Sequence, residues 1–242
     1  MIVTKSSFAD ETAQLVLEGM RHPFRQRVAD GLATRADLAV FAVQTYQRNL
    51  WSSRFASANH SRCPIPEIRR SLLEVAYEEE LKGPGQQLSH AEQMLIFTDA
   101  LGLRREDVVN SRPLPGTLAF IDTIMKLSEG HWLEAIAFRA SEQNSPKGSA
   151  IWAEVLQRVY GFSPEAVVWW STHAVADVAH GNISMEVYRH YVRDASEREL
   201  ALRALERMFA AWRVFFDNIV EAGQSALTGG EVGFVLPSSL RR

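Results

Sequence analysis

An all-α fold, one domain of seven or eight helices packed as a bundle, is predicted by three observations. Apolar residues recur at three- to five-residue steps along most of the chain. No segment alternates apolar and polar residues as a half-buried strand would. Helix starts and stops fall at the ends of the periodic runs. The chain has 242 residues, 46% hydrophobic and 23% charged, enough for one sizeable core. No repeat or linker-like stretch divides it, so residues 1–225 read as the domain and 226–242 as a C-terminal tail.

The elements follow in chain order. "TRADLAVFAVQTYQRNLWSSRFASANHS" places Leu38, Phe41, Thr45 and Leu50 on an apolar stripe. Thr34 with Asp37 three residues on reads as a capping box with Asp in the Glu position. Pro66, Pro115 and Pro146 mark the first turns of further helices. "SPEAVVWW" opens another, with Ser163 as N-cap, Pro164 at the first helical position and Glu165 near the positive end. "SERELALRALERMFAAWRVFFDNIVEAG" carries Ala201, Leu205, Met208, Trp212, Phe215 and Ile219 on one stripe, with Gly223 as its stop. The last stretch, "SALTGGEVGFVLPSSLRR", reads as a loose tail packing through Phe234 and Leu236.

Bulk chemistry excludes some partners. Net charge is −3 and the basic residues form no long block, which argues against nucleic acid. The single cysteine, Cys63, permits no internal disulfide and fits a reducing cytoplasm, the expected location. No apolar run approaches the roughly 18 residues of a membrane span, and the first residues lack a signal peptide's apolar region.

Several polar residues sit where a helix should bury apolar ones. In "WWSTHAVADVAHG", His173, Asp177 and His180 fall within about 60° of one another on a helix. Trp169, Trp170, Val175 and Val178 surround them, so the helix reads as substantially buried. A carboxylate buried beside two imidazoles needs partners or a metal. The plainer alternative is an Asp holding two structural histidines. In "HWLEAIAFRASEQNSP", Glu142 continues the face of Ala135 and Phe138, unless it merely ends the helix in water. In "EVAYEEELKGPGQQLSHAEQMLIF", Glu79 and His90 lie eleven apart, close to three turns, although Pro84 and two glycines interrupt the segment. Glu78, Glu79 and Glu80 equally suit a solvated face, and His90 an ordinary polar position. Together three segments offer three carboxylates and three imidazoles. Facing helices of bundle proteins hold paired iron or manganese with such donors.

A family resemblance points the same way. "HPF…GLATRADLAVFAVQTYQ", "NHSRCP…EEELKGPGQQLSHAEQMLIFTDALGL", "SEQNSP" and "STHAVADVAHG" resemble the heme-oxygenase-like superfamily over roughly residues 20–220. Within it the chain is similar to the CADD-like proteins and to the pyrroloquinoline quinone synthase-like (PqqC-like) proteins. The resemblance implies a seven- or eight-helix bundle and two irons, with manganese as the other candidate ion. It places the ligands at Glu79 and His90 on one helix, Glu142 on a second, and His173, Asp177 and His180 on a third. No catalytic residue beyond these ligands is implied.

The departures from the family pattern narrow the activity. Pyrroloquinoline quinone synthases work without metal and lack the histidine that is here His173. The CADD-like proteins that convert one of their own tyrosines to p-aminobenzoate carry tyrosine, tyrosine and lysine where this chain has Arg25, Ser141 and Trp152. That self-sacrificing chemistry is therefore not expected. Thiaminase-type relatives need a cysteine nucleophile, and Cys63 beside Pro64 falls in an inter-helix turn. The resemblance implies a non-heme diiron oxidase or oxygenase. It would use O2 to oxidise an amino-acid- or fatty-acid-like molecule by N-oxygenation, desaturation or C–C cleavage. A metal-independent oxidase and a non-catalytic interaction protein are the alternatives. Arg25, Arg48, Arg54, Arg139 and Trp152 lie near the site segments as candidate substrate contacts. Trp51, Phe55, Trp132, Trp169 and Trp170 add apolar bulk, and Tyr46 and Glu134 are outer-shell candidates. A homodimer, a small-molecule substrate and an electron donor are the expected partners.

Overall fold

The computed structural model describes residues 5–81, 88–142 and 145–241, without the side chains of 5–7, 9–10 and 176–182. Among these residues the fold is all-α. Its helices are α1 (Lys5–Gly19), α2 (Pro23–Ala29), α3 (Arg35–Asn49), α4 (Ser52–Arg62), α5 (Pro66–Glu80), α6 (His90–Ala100) and α7 (Arg105–Val109). They continue with α8 (Pro115–Ser128), α9 (Trp132–Ala135), α10 (Ala137–Ala140), α11 (Ser145–Arg158), α12 (Val168–Tyr191) and α13 (Ala195–Leu227), then one 3₁₀ turn at Ser238–Leu240.

The predicted number of seven or eight is exceeded because breaks the periodicity conceals divide the segments. At Leu50 and Trp51 the chain turns and separates α3 from α4. Ile136 both ends α9 and starts α10, so "HWLEAIAFRA" is two single turns and not one helix.

The centre of the bundle is α3, buried from Ala36 to Asn49. A helix buried all round packs neighbours on every side, and α3 meets α6, α8 and α13. Its N-terminus carries the capping box read from Thr34 and Asp37, with bonds of 3.0 and 2.9 Å. Leu50, assigned to the buried stripe, is instead exposed at the C-cap.

α13 buries the predicted stripe of Ala201, Leu205, Met208, Phe215 and Ile219 against α3 and α8, with Trp212 half-buried. Gly223 does not stop it. The helix runs four residues further, to Leu227, and Gly223 lies buried within it where Asp37 of α3 approaches. The start of α12 is also later than predicted. Ser163 caps a short turn, accepting from Ala166 N at 3.3 Å, and regular helix begins only at Val168. The i→i+3 bonds of that turn, Ala166 N to Ser163 O and Val168 N to Glu165 O, are tighter than α-helical ones. Beyond α13 the chain packs back through Val232, Leu236 and Leu240, with Phe234 half-buried.

Candidate metal and substrate site

Glu79 is the penultimate residue of α5 and His90 the first of α6. The resemblance puts them on one helix. Here they belong to two, α5 and α6, whose facing ends bring the side chains together. A capping box of Ser89 and Glu92 fixes the start of α6, which aims His90 inward. His90 Nδ1–H donates to Glu79 Oε2 at 2.8 Å, and both side chains are buried. Of the three consecutive glutamates only Glu79 is buried, while Glu80 is exposed and accepts a hydrogen bond from Ser53.

Glu142 follows α10 in a turn and is neither on a continuous stripe nor in bulk water. Its side chain is 13% exposed and accepts from Arg139 Nη1 at 2.7 Å. Arg139 is completely buried, lies over Phe138, and reaches within 3.8 Å of Glu79. One guanidinium thus stands between two predicted ligand carboxylates. It is turned onto them and is not part of the cavity wall.

His173 on α12 stacks against Trp169, with ring centres 3.9 Å apart, and lies 4.3 Å from the His90 ring. Its Nδ1–H donates to the Trp169 carbonyl at 2.7 Å. A carbonyl can only accept, so the neutral ring keeps its lone pair on Nε2. Asp177 and His180 share the α12 helix, but their side chains lie outside the described residues, as does that of Val178. Val175, read as a buried neighbour, is 77% exposed. Two residues beyond His173 is about 200° around a helix, the opposite face.

Glu79, Glu142 and His173 line one cavity of about 90 Å³. Phe41, Trp152, Trp169, Trp170, Trp212 and Phe216 form its aromatic wall. Arg25, Arg48, Asn49 and Ser141 add polar groups. Arg48 donates to Asn49 Oδ1 at 2.9 Å and sits over the Trp212 ring. The wall member Trp212 came from the α13 stripe, which read only as core, and Phe216, beside that stripe, was not singled out. Nothing in a periodic pattern separates a core face from a cavity face. Trp51, Phe55 and Trp132 are not among the lining residues, and Arg54 is exposed over Trp51. Tyr46 packs in the core, and Glu134 closes the α9 capping box with His131. Cys63 ends α4, buried and away from the cavity wall.

Burial raises the pKa of Glu79, but His90, Arg139 and His173 together outweigh it and hold the carboxyl well below the ordinary range. Burial, then the facing His90, pushes His173 well below a normal imidazole, against the opposing pull of Glu79. In both cases the folded state binds fewer protons than the unfolded chain, so acid favours unfolding. His173's contribution is lost as pH falls below about 6.5, and that of Glu79 below about 4.3. The urea midpoint should fall between about pH 7 and 5.5, and His173→Gln should flatten that slope. An unchanged slope in the variant would remove His173 as its source.

Among the described residues no three of these groups are already arranged as the ligands of one ion, because Glu79 is bonded to His90 and Glu142 to Arg139. The donor types nevertheless suit iron or manganese: buried carboxylates, and a neutral imidazole with a fixed lone pair.

Comparison with known proteins agrees with this chemistry. The fold is the heme-oxygenase-like helical bundle. A domain of unknown function with that fold from Shewanella denitrificans superposes with a TM-score of 0.79 at 18% identity, covering 98% of this chain and 100% of that one. Residues 39–213 match the model of the iron-containing redox enzymes, and the chain belongs to that family. It is an oxidoreductase. A 4-aminobenzoate synthase from Chlamydia muridarum is 27% identical over 205 residues, 84% of each chain. A pyrroloquinoline-quinone synthase from Gluconobacter oxydans is 25% identical over 190 residues, 77% of this chain and 78% of that one. No helix among the described residues is long and apolar enough to cross a membrane.

Proposed function

We propose that the chain is a non-heme diiron oxidase or oxygenase acting on a small organic substrate with O2. The observation that carries this reading is the convergence of four separate segments: Glu79, Glu142 and His173 line one aromatic-walled cavity, and His90 meets Glu79 and His173 behind them. These four, with Asp177 and His180 of α12, would hold the metal, and bound iron would supply the activation of O2. The protein's own contributions are distinct. His173 stays neutral and presents Nε2. Arg139 neutralises the carboxylates while they are free of metal. The aromatic wall excludes water from the reacting end. An external electron donor completes the turnover.

The substrate in this reading is a separate molecule and not a side chain of the protein. The residues that replace tyrosine, tyrosine and lysine of the self-sacrificing enzymes, Arg25, Ser141 and Trp152, all line this cavity. None of them is a phenol or an amine. The product named for the chlamydial relative, 4-aminobenzoate, would therefore need another source here.

The test is anaerobic Fe(II) loading of the purified protein with metal counted per chain. About two irons are expected, as for carboxylate–histidine bundles, with uptake falling sharply in His173→Ala and Glu142→Gln. No uptake above background would overturn the diiron reading in favour of metal-independent oxidation.

A further inference from the structure

A second concavity, an outer cleft of about 460 Å³, lies against the first. The two share Met20, Arg25, Gly148 and Trp152, so Arg25 stands in the wall between the surface cleft and the inner cavity. The cleft is also lined by Arg21, His22 and Gln26, and no carboxylate is among its described lining residues, although Asp217 meets His22 Nε2 at 3.0 Å. Arg21 and Arg25 make the lining cationic, which favours anions at the mouth.

Arg25 is held but not neutralised. Its Nη1 donates to the Met20 carbonyl at 3.2 Å, and its guanidinium lies 5.9 Å from the centre of the Phe216 ring. Gly148 makes room for it: a methyl group there would sit 3.1 Å from Nη2. Among the described residues it has no carboxylate partner, unlike Arg27, which pairs with Asp37, and Arg139, which pairs with Glu142. Burial pushes its pKa down, the mark of a charge short of compensation.

We propose that Arg25 is the anchor for the carboxylate of an apolar monocarboxylate substrate. The molecule enters through the outer cleft and lies along Phe41, Trp152 and Phe216, its far end toward Glu79, Glu142 and His173. A guanidinium fork matches a carboxylate bidentately, which a lysine cannot do. The substrate class rests on the oxidase reading, but its recognition does not require metal.

The test is equilibrium binding to metal-free protein, followed by the fluorescence of the cavity tryptophans. The probes are phenylacetate and hexanoate, each paired with its neutral amide. At least one acid should bind about ten- to a hundredfold more tightly than its amide. Arg25→Met should abolish that preference and Arg25→Lys restore only part of it, with circular dichroism confirming that both variants fold. Equal binding of acids and amides, no binding of either acid, or an acid preference that survives Arg25→Met would overturn the proposal. Iron uptake is counted separately on the same variants. Its failure in wild type would sink the diiron reading and leave the carboxylate result standing, and the reverse outcome would do the opposite.

Discussion

Arg139→Met should lower the stability of the metal-free protein by about 3–5 kcal/mol at neutral pH, or a melting temperature roughly 10 °C lower for a chain of this size. The guanidinium is fully buried and faces two carboxylates, the half-buried Glu142 at 2.7 Å and the buried Glu79 at 3.8 Å. Methionine fills much of its volume but leaves both acids without that cation. Removing one partner of a buried ion pair costs more than replacing both, because the survivor keeps its desolvation penalty. Arg139→Met with Glu142→Gln should therefore recover part of the loss. Under the metal reading, Mn(II) should raise the melting temperature of Arg139→Met by more than that of wild type, since the ion replaces the missing charge. A loss below about 1 kcal/mol would mean that Arg139 contributes no more than a surface ion pair.

Arg139 also shows where sequence reasoning stops. The helical period predicts which residues turn inward, and it assigned α13 and the core of α3 well. It does not give contacts between segments. Arg139 appears in sequence as a cation near the site, read as a candidate substrate contact. Only the fold turns it onto Glu142. Glu79 and His90 illustrate the opposite case. Their near three-turn spacing suggested one helix, which the structure divides, yet the pairing itself was legible from that spacing and from the resemblance. The cavity wall was half legible. Trp152, Trp169 and Trp170 were read as apolar bulk for the pocket, whereas Trp212 looked like ordinary core and Phe216 was not singled out. A stripe facing a cavity and a stripe facing a neighbour have the same period. Arg25 was named for its position near "HPF", but its lack of a carboxylate partner among the described residues is a three-dimensional fact.

Gly223→Ala tests a different misreading, and here the sign is decisive. In an ordinary helix interior the change should stabilise by up to about 1 kcal/mol, because alanine loses less backbone entropy. Here an added Cβ would overlap Asp37 Oδ1, a clash that cannot stand. Asp37 is buried and is not free to swing away. It accepts from Thr34 N at 2.9 Å in the α3 capping box and from Arg27 at 3.2 Å. Relieving the clash means breaking that cap, at about 0.5–2 kcal/mol, or shifting the two helices, at about 1–3 kcal/mol. The net expectation is a loss of about 2 kcal/mol, read as a lower urea midpoint with unchanged slope. Asp37→Ala alone should also destabilise, through the lost cap. In that background the methyl group meets no carboxylate, so adding Gly223→Ala should be neutral or stabilising. A double-mutant cycle with no coupling would show that Gly223 does not owe its place to Asp37. A strong coupling would explain why a glycine stands inside the longest helix of the chain: it lets α13 lie against the N-terminus of α3, the helix that carries Phe41, Thr45, Arg48 and Asn49 into the cavity wall.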